Sequence, residues 1–378
     1  MEHYKILLIF SDTGGGHRSA SEAIIEALNL EFGDLVSAEM VDMFKQYAPR
    51  PINHAPAWYP AIVRVPEIWE LGYRLTDGRR RINFLNASIW PYMRRSMRAM
   101  ISGNPSDLIV SVHPLANAPI LRAMRGIKCK IPFATVVTDL VSTHAAWYSR
   151  STDLVIVPTE EARQIAIGCH VSPEKVKVVG LPVADRCCQP PGDRHALRQQ
   201  LSWQDNNPVV LLVGGGDGMG PLEQTAHAIE TANLPVNLVV VCGRNQKLRE
   251  RLDAHHWEIP TIIYGFVRQM PTFMQAADIL VTKAGPGTIC EALNAGLPMV
   301  LYSRLPGQED GNVTYVTTNN AGIWAPRPDL IVDAIRNWIE NPAQHKHAVE
   351  ACQKLARPQS ARQIARLLVE LCRNHKPE

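Results

Sequence analysis

Ten short apolar runs recur along the chain: Tyr4–Phe10, Leu108–Val112, Phe133–Thr138, Leu154–Val157, Val176–Val179, Val209–Val213, Asn237–Cys242, Thr261–Tyr264, Ile279–Thr282 and Met299–Tyr302. Each is strand-length and rich in β-branched residues, with no regular polar alternation, as expected of parallel strands buried on both faces. Between them lie stretches with helical spacing, among them Ser19–Leu30, Leu115–Met124, Glu160–Ile167, Leu222–Thr231, Met270–Ala277 and Thr288–Ala295. This strand–helix alternation predicts an α/β protein built on open parallel sheets. The rhythm breaks around Leu181–Pro191, where Pro182, Pro190, Pro191 and Gly192 cluster, and a linker is expected there. The predicted domains are 1–184 and 185–357, with a final segment, 358–378, whose amphipathic stretch Ala361–Leu371 suits either half.

Composition narrows the class. With 378 residues, 46% hydrophobic, 20% charged and a net charge of +3, the chain has material for two packed cores, which excludes a disordered tail or a collagen-like repeat. No apolar run approaches the ~18–20 residues that span a bilayer. The apolar residues before Asp12 are too few for a signal-peptide core, so a cytoplasmic location is expected. Eight cysteines without a C-x-x-C pair read as reduced thiols rather than a zinc site.

The modest net charge hides an asymmetry. Between Lys45 and Met100 there are ten Lys or Arg against three acids, a local balance of +7 that leaves −4 for the rest. The same insert, 45–100, carries Trp58, Trp69 and Trp90 among interleaved tyrosines. It reads as a membrane-surface element, with aromatic rings at headgroup level and Arg79, Arg80 and Arg81 facing anionic lipid, or as a solvated or packed subdomain. Charge and aromatics would also suit single-stranded nucleic acid, but no RNA-binding motif accompanies them, and no nucleic-acid partner is expected.

Three loops carry candidate chemistry. The first strand ends in Ser11-Asp12-Thr13-Gly14-Gly15-Gly16-His17-Arg18, and a helix follows. Glycines at a strand-to-helix turn let the backbone approach a ligand and aim free N–H groups at an anion, although a tight turn alone also selects glycine. Val209–Val213 runs into Gly214-Gly215-Gly216, and Ile279–Thr282 into Lys283-Ala284-Gly285-Pro286-Gly287-Thr288. These features suit a diphosphate, and Glu291, about a turn into the third helix, is placed to accept hydrogen bonds from a ribose diol. Neither the P-loop nor the G-x-G-x-x-G pattern is present. The chain also lacks D-x-D, so the diphosphate charge is expected to be neutralised by helix ends and basic side chains, with no metal or cofactor.

The first glycine loop, Val136-Val137-Thr138-Asp139 with His144 and Trp147, the segment Lys283–Thr288, and Pro306-Gly307-Gln308-Glu309-Asp310-Gly311-Asn312 together resemble the monogalactosyldiacylglycerol synthases. Their relatives include bacterial diacylglycerol glucosyltransferases and, more distantly, the lipid II-forming N-acetylglucosaminyltransferase. The resemblance covers nearly the whole chain and implies an α/β GT-B architecture, two Rossmann-like domains facing each other across a cleft. The acceptor would lie on the N-terminal half and the UDP-sugar on the C-terminal half, with the last helix crossing back to the first domain.

The implied reaction moves a hexose, galactose favoured over glucose, from a UDP-sugar to diacylglycerol with inversion, at a membrane met peripherally. A soluble nucleotide-sugar enzyme such as an epimerase is the alternative. An alkanol needs a general base. His17 is expected to serve, kept neutral by a helix N-terminus, or else to position the diphosphate or acceptor; Asp139 is the alternative base or orients the histidine. The implied donor contacts are Gly15, Gly16, Gly215, Gly216, Lys283, Gly285, Gly287, Thr288 and Glu291, with Phe266 and Val267 at the uracil and Gln308 and Glu309 at the sugar hydroxyls. Phe266 could equally be core, and 306–311 is also good turn sequence. His113, at a strand end before Pro114, is either a buried structural histidine or part of the acceptor side.

Overall fold

In the computed structural model the structure describes residues 3–13, 15–63, 65–218 and 220–375, without the side chains of 59–62 and 66. Gly14 and Met219 of the glycine loops, Arg64 and the Tyr59 side chain of the insert, and 376–378 lie outside the described residues. The chain gathers into two compact units. The first comprises the described parts of 1–185 with 305–311 and 359–378; the second comprises 186–304 and 312–358.

The first unit holds β1 (Tyr4–Phe10), β2 (Val36–Asp42), β3 (Leu108–Ser111), β4 (Phe133–Val136), β5 (Leu154–Val157) and β6 (Val176–Val178), all parallel in the order β2-β1-β3-β4-β5-β6. Its helices are α1 (Gly16–Phe32), α2 (Ala55–Ile62), α3 (Pro66–Thr76), α4 (Arg79–Gly103), α5 (Asn117–Gly126) and α6 (Glu160–Gly168). In the second unit, β7 (Val209–Val213), β8 (Asn237–Val241), β9 (Thr261–Tyr264), β10 (Ile279–Lys283), β11 (Met299–Ser303) and β12 (Gly322–Trp324) form a parallel sheet in the order β12-β11-β10-β7-β8-β9. Around it run α7 (Arg194–Gln200), α8 (Leu222–Thr231), α9 (Gln246–Asp253), α10 (Met270–Ala276), α11 (Pro286–Asn294), α12 (Asp310–Thr318), α13 (Pro328–Glu340) and α14 (Pro342–Leu355). The chain closes with α15 (Ser360–His375), in the first unit.

Both faces of each sheet are covered, which explains the unbroken apolar runs. On one face of the first sheet, Ile6, Leu8 and Val110 pack with Ile24 and Leu28 of α1 and Ile364, Leu368 and Val369 of α15. On the other, Leu7, Ile9 and Ile109 meet Met93, Met97 and Met100 of α4 and Ile120 of α5. Polar contacts fix α15 on this unit: Ser360 Oγ donates to the Leu181 carbonyl at 2.7 Å, Arg362 pairs with Asp185 at 2.8 Å and Arg366 with Glu31 at 2.7 Å.

Strand order locates the sites. In each sheet the connections reverse direction at one point, between β1 and β3 in the first unit and between β7 and β10 in the second. Doubly wound sheets bind ligands outside the carboxyl ends of the strands at that reversal. The first glycine loop lies beyond β1, the second beyond β7 and the third beyond β10.

Candidate active site

In the first unit, Gly15 caps α1 with φ +80°, a left-handed conformation that favours glycine, and no side chain caps the helix. His17, in its first turn, reaches the carboxyl ends of the central strands β3 and β4. Its Nδ1 lies 2.8 Å from Thr138 Oγ1, beyond β4, and the ring also hydrogen-bonds the Val112 backbone, beyond β3. Burial lowers its pKa to about 4, partly offset by the Val112 bond, so the imidazole is neutral at neutral pH. Desolvation is the physical cause, in place of the helix end expected from the sequence.

His113 packs beside His17, its ring 4.6 Å from the His17 ring and 5.6 Å from Phe44. Both its nitrogens are engaged: Nδ1 accepts from Leu115 N–H and Nε2 lies 3.3 Å from Thr13 Oγ1. It is a buried, satisfied histidine beside His17.

Trp147 also lies near, with its ring 6.0 Å from His17, and its Nε1 donates to Asp139 Oδ2 at 2.6 Å. The other oxygen of Asp139 accepts from Gln308 Nε2 at 2.8 Å. Asp139 is buried, and burial pushes its carboxyl up to about 6 against the pull of these two donors. Gln308 Oε1 is buried and has no hydrogen-bond partner among the described residues. Glu309 accepts from the Leu305 N–H at 2.7 Å within the same turn. Segment 305–311 is thereby built onto the loop that carries Asp139, and Gly311 N–H donates to Ser142 Oγ at 2.9 Å.

The second unit brings two loops together through strand pairing. β7 and β10 are neighbours, so Gly215 and Lys283 leave adjacent strand ends. A register shift between Thr282 and Lys283 re-aims the lysine. Its Cε lies 3.4 Å from where a Gly215 side chain would begin, and its Nζ 3.5 Å from the same point at Gly285. A Cβ at either position would meet this lysine only at ordinary van der Waals distance; at Gly215 it is the φ of +71° that favours glycine. Gly216 is bounded instead by Arg244, which pairs with Asp217 at 2.8 Å.

Gly285 caps α11 without a side-chain hydrogen bond and Pro286 occupies its first turn, leaving the N–H groups near Gly287 and Thr288 without a side-chain cap. Glu291, further along α11, is half-buried, and burial raises its pKa to about 7 against the opposing influence of Arg186 and a hydrogen bond with Cys187. Phe266 is 58% exposed and so is not core; Arg244 lies 5.8 Å over its ring, with Val267 next in the chain.

The insert is helical, comprising α2, α3 and α4. Ile68, Leu71 and Leu75 of α3 are each about 60% exposed and, at spacings of three and four, share one face. Phe84 and Tyr92 of α4 are more exposed still, and Trp58 is half-exposed. Arg79, Arg80 and Arg81 are exposed and occupy the first turn of α4, where the helix dipole disfavours cations. Trp90 turns the other way: it packs against the core and the Arg122 guanidinium lies 4.8 Å over its ring. Trp90, Arg79, Arg122, Arg125 and Arg150 line a cavity of about 330 Å³ between α4 and α5. Among the described residues no helix is long and apolar enough to cross a membrane.

Two family profiles match the chain, the monogalactosyldiacylglycerol (MGDG) synthase over residues 17–183 and the glycosyltransferase family 28 C-terminal domain over 209–367. Monogalactosyldiacylglycerol synthase 1 of Arabidopsis thaliana is 36% identical over 98% of this chain and 71% of its own length. The spinach (Spinacia oleracea) monogalactosyldiacylglycerol synthase is 37% identical over 98% of this chain and 73% of its own; both names carry the designation chloroplastic. Among solved structures, Acinetobacter baumannii MurG matches with a TM-score of 0.62 at 17% identity, covering 98% of this chain and 100% of that one. The UDP-GlcNAc 2-epimerase of Neisseria meningitidis, bound to UDP-GlcNAc, matches at 0.60 and 14%, with 98% and 100% covered. These structures share the GT-B fold with the chain. The relatives above 35% identity decide the family: the chain is a glycosyltransferase and belongs to the monogalactosyldiacylglycerol synthases.

Proposed function

We propose that the chain transfers a hexose, galactose in preference to glucose, from a UDP-sugar to the free hydroxyl of diacylglycerol, with inversion at the anomeric carbon. The observation that carries this reading is identity to galactolipid synthases along 98% of the chain. The residues supply the parts such a reaction needs. The acceptor oxygen attacks the anomeric carbon, the bond to the diphosphate oxygen breaks and UDP leaves with the electron pair. The acceptor proton passes to Asp139, whose pKa of about 6 suits proton uptake near neutrality better than a histidine near 4. His17 stays neutral and orients the acceptor hydroxyl.

In the second unit the diphosphate rests against the second and third glycine loops and the α11 N-terminus, with Lys283 as counter-charge, and turnover without added metal is the expectation. Glu291 holds the ribose diol, and Gln308 Oε1 offers an acceptor to a sugar hydroxyl. The apolar face of α3, with Phe84, Tyr92 and the arginines of α4, rests on an anionic bilayer surface, where diacylglycerol resides. The three exposed arginines at the positive end of a helix support this, since the helix dipole disfavours them there and an anionic surface would offset that cost.

The test is transfer to diacylglycerol in anionic vesicles, with UDP-galactose and UDP-glucose in separate reactions and EDTA in each. A β-galactosyl lipid formed faster than the glucosyl lipid, with full rate in EDTA, is expected. Preference for UDP-glucose would reassign the donor, and conversion of the free nucleotide sugar without glycolipid would favour an epimerase.

A further inference from the structure

In the second unit, His227 and Glu230 stand three residues apart on α8, so they share one helix face. His255 follows α9 and turns onto the same carboxylate. His227 Nδ1 lies 3.3 Å from Glu230 Oε2, and His255 Nε2 lies 2.9 Å from that same oxygen. One ligand atom from each of the three residues falls within 4.8 Å of the other two. Ligands bonded to zinc at about 2.0–2.1 Å in a tetrahedron stand roughly 3.3 Å apart, so each imidazole already stands near that spacing from the carboxylate, and the two imidazoles need only close in from within 4.8 Å.

The surroundings hold the three groups in place. Trp257 stacks on the His227 ring at 5.2 Å and 16°, and meets the His255 ring edge-on at 4.7 Å. Its own Nε1 donates to the Leu252 carbonyl at 3.0 Å. The Glu258 N–H donates to Glu230 Oε1 at 2.9 Å, which orients the carboxylate and leaves Oε2 toward both imidazoles. Such outer hydrogen bonds are what fix metal ligands. The Glu230 side chain is 10% exposed and the histidines are 38–39% exposed, so ions can enter from solvent.

We infer that His227, Glu230 and His255 form a site for one divalent transition-metal ion of the zinc class, the fourth position being taken by water. Two imidazoles and a carboxylate favour zinc, or copper and nickel, over magnesium or calcium, which prefer all-oxygen shells. The ion would join the C-terminal end of α8 to the chain leaving α9. The N-terminal ends of both helices adjoin the second glycine loop: α8 begins after Gly220, and Asn245, which caps α9, donates to the Gly218 carbonyl at 3.4 Å. A ten-residue helix is about 15 Å long, so the ion braces the loop from a distance and takes no part in sugar transfer.

The test uses the full chain stripped with chelator and titrated with Zn²⁺ against a chromogenic competitor, beside the variants H227A and H255A. The wild type is expected to hold one more equivalent than either variant, or to hold it at least tenfold more tightly. Its melting temperature should rise with Zn²⁺ while theirs does not. With Co²⁺ the same equivalent should show d–d absorption without thiolate charge-transfer, separating it from the cysteines. Equal uptake by all three proteins, or uptake with a thiolate signature alone, would overturn the site. An E230Q variant that melts like the wild type without metal, yet gains nothing from Zn²⁺, separates ligation from folding; the same Zn²⁺ response as wild type would also overturn it.

Discussion

The Gln308 side-chain amide donates to Asp139 Oδ1 at 2.8 Å, joining two residues 169 positions apart in the sequence. A donor on a carboxylate favours its charged form, so this bond holds the Asp139 pKa below what burial alone would impose. Gln308→Ala should therefore raise that pKa. The acid limb of kcat/KM should move to higher pH, with activity at pH 6 falling more than at pH 8. An unmoved limb would show that the bond does not reach the titrating group.

The same profile identifies the base. A base works only when deprotonated, so activity is lost as pH falls through its pKa. With Asp139 as base the limb is centred near 6, and Asp139→Asn should lower kcat roughly 10²–10⁴-fold. A limb near 4 that vanishes in His17→Ala would assign the step to the histidine.

Asp139 also carries a stability signature. Its carboxyl rises from 3.8 to about 6 on folding, so ionisation opposes the fold. The penalty is complete above pH 6, reaches at most about 3 kcal/mol, and disappears as pH falls below 4. Thermal unfolding of Asp139→Asn should show its melting temperature gaining on the wild type as pH rises from 5 to 8. A difference independent of pH would mean the carboxyl stays neutral throughout.

Glu291 predicts how nucleotide binding responds to pH. Burial holds its pKa near 7, and the ionised form is the better acceptor for a diol. UDP affinity measured by calorimetry should strengthen from pH 6 to pH 8, and Glu291→Gln should flatten that slope, leaving only the part due to the terminal phosphate of UDP, and weaken binding about tenfold at pH 8. A slope as steep in the variant as in the wild type would take Glu291 out of the ribose site.

For the insert, replacing Arg79, Arg80 and Arg81 with Gln should weaken sedimentation with anionic vesicles by up to about fivefold per charge, and raised salt should mimic the change. Ile68, Leu71 and Leu75 changed together to Ser should weaken binding even at high salt, because that contribution is apolar. Wild-type binding by both variants would make the insert an ordinary helical subdomain.

The sequence alone determined the elements whose signal is local. A strand buried on both faces must be apolar throughout, so Tyr4–Phe10, Val209–Val213 and the other central strands are legible, as are the helices between them. Of the four edge strands, Val176–Val178 and Thr261–Tyr264 are legible too, while the other two are not: Val36–Asp42 is mixed in burial and Gly322–Trp324 is three half-buried residues, because an edge strand need not be covered on both sides. The glycine loops and His17 also stand out, since strand-to-helix turns have their own chemistry, whereas Asp139 is picked out only by the family resemblance.

What only the tertiary structure decided depends on residues distant in the chain. Strand order places the glycine loops at the reversal of each sheet. Burial, rather than the helix end, sets the ionisation of His17, and it raises the Asp139 carboxyl to about 6. Trp90 and Tyr92 show the same division: both are aromatic, both lie in a basic helix, yet Trp90 is taken up by Arg122 and the core while Tyr92 stays outside. His227, Glu230 and His255 match no spacing motif, because their convergence depends on how α8 and the chain after α9 pack. Periodicity reports which face of an element is buried; which distant side chains meet there is settled by packing, and most of the site's chemistry lies in those meetings.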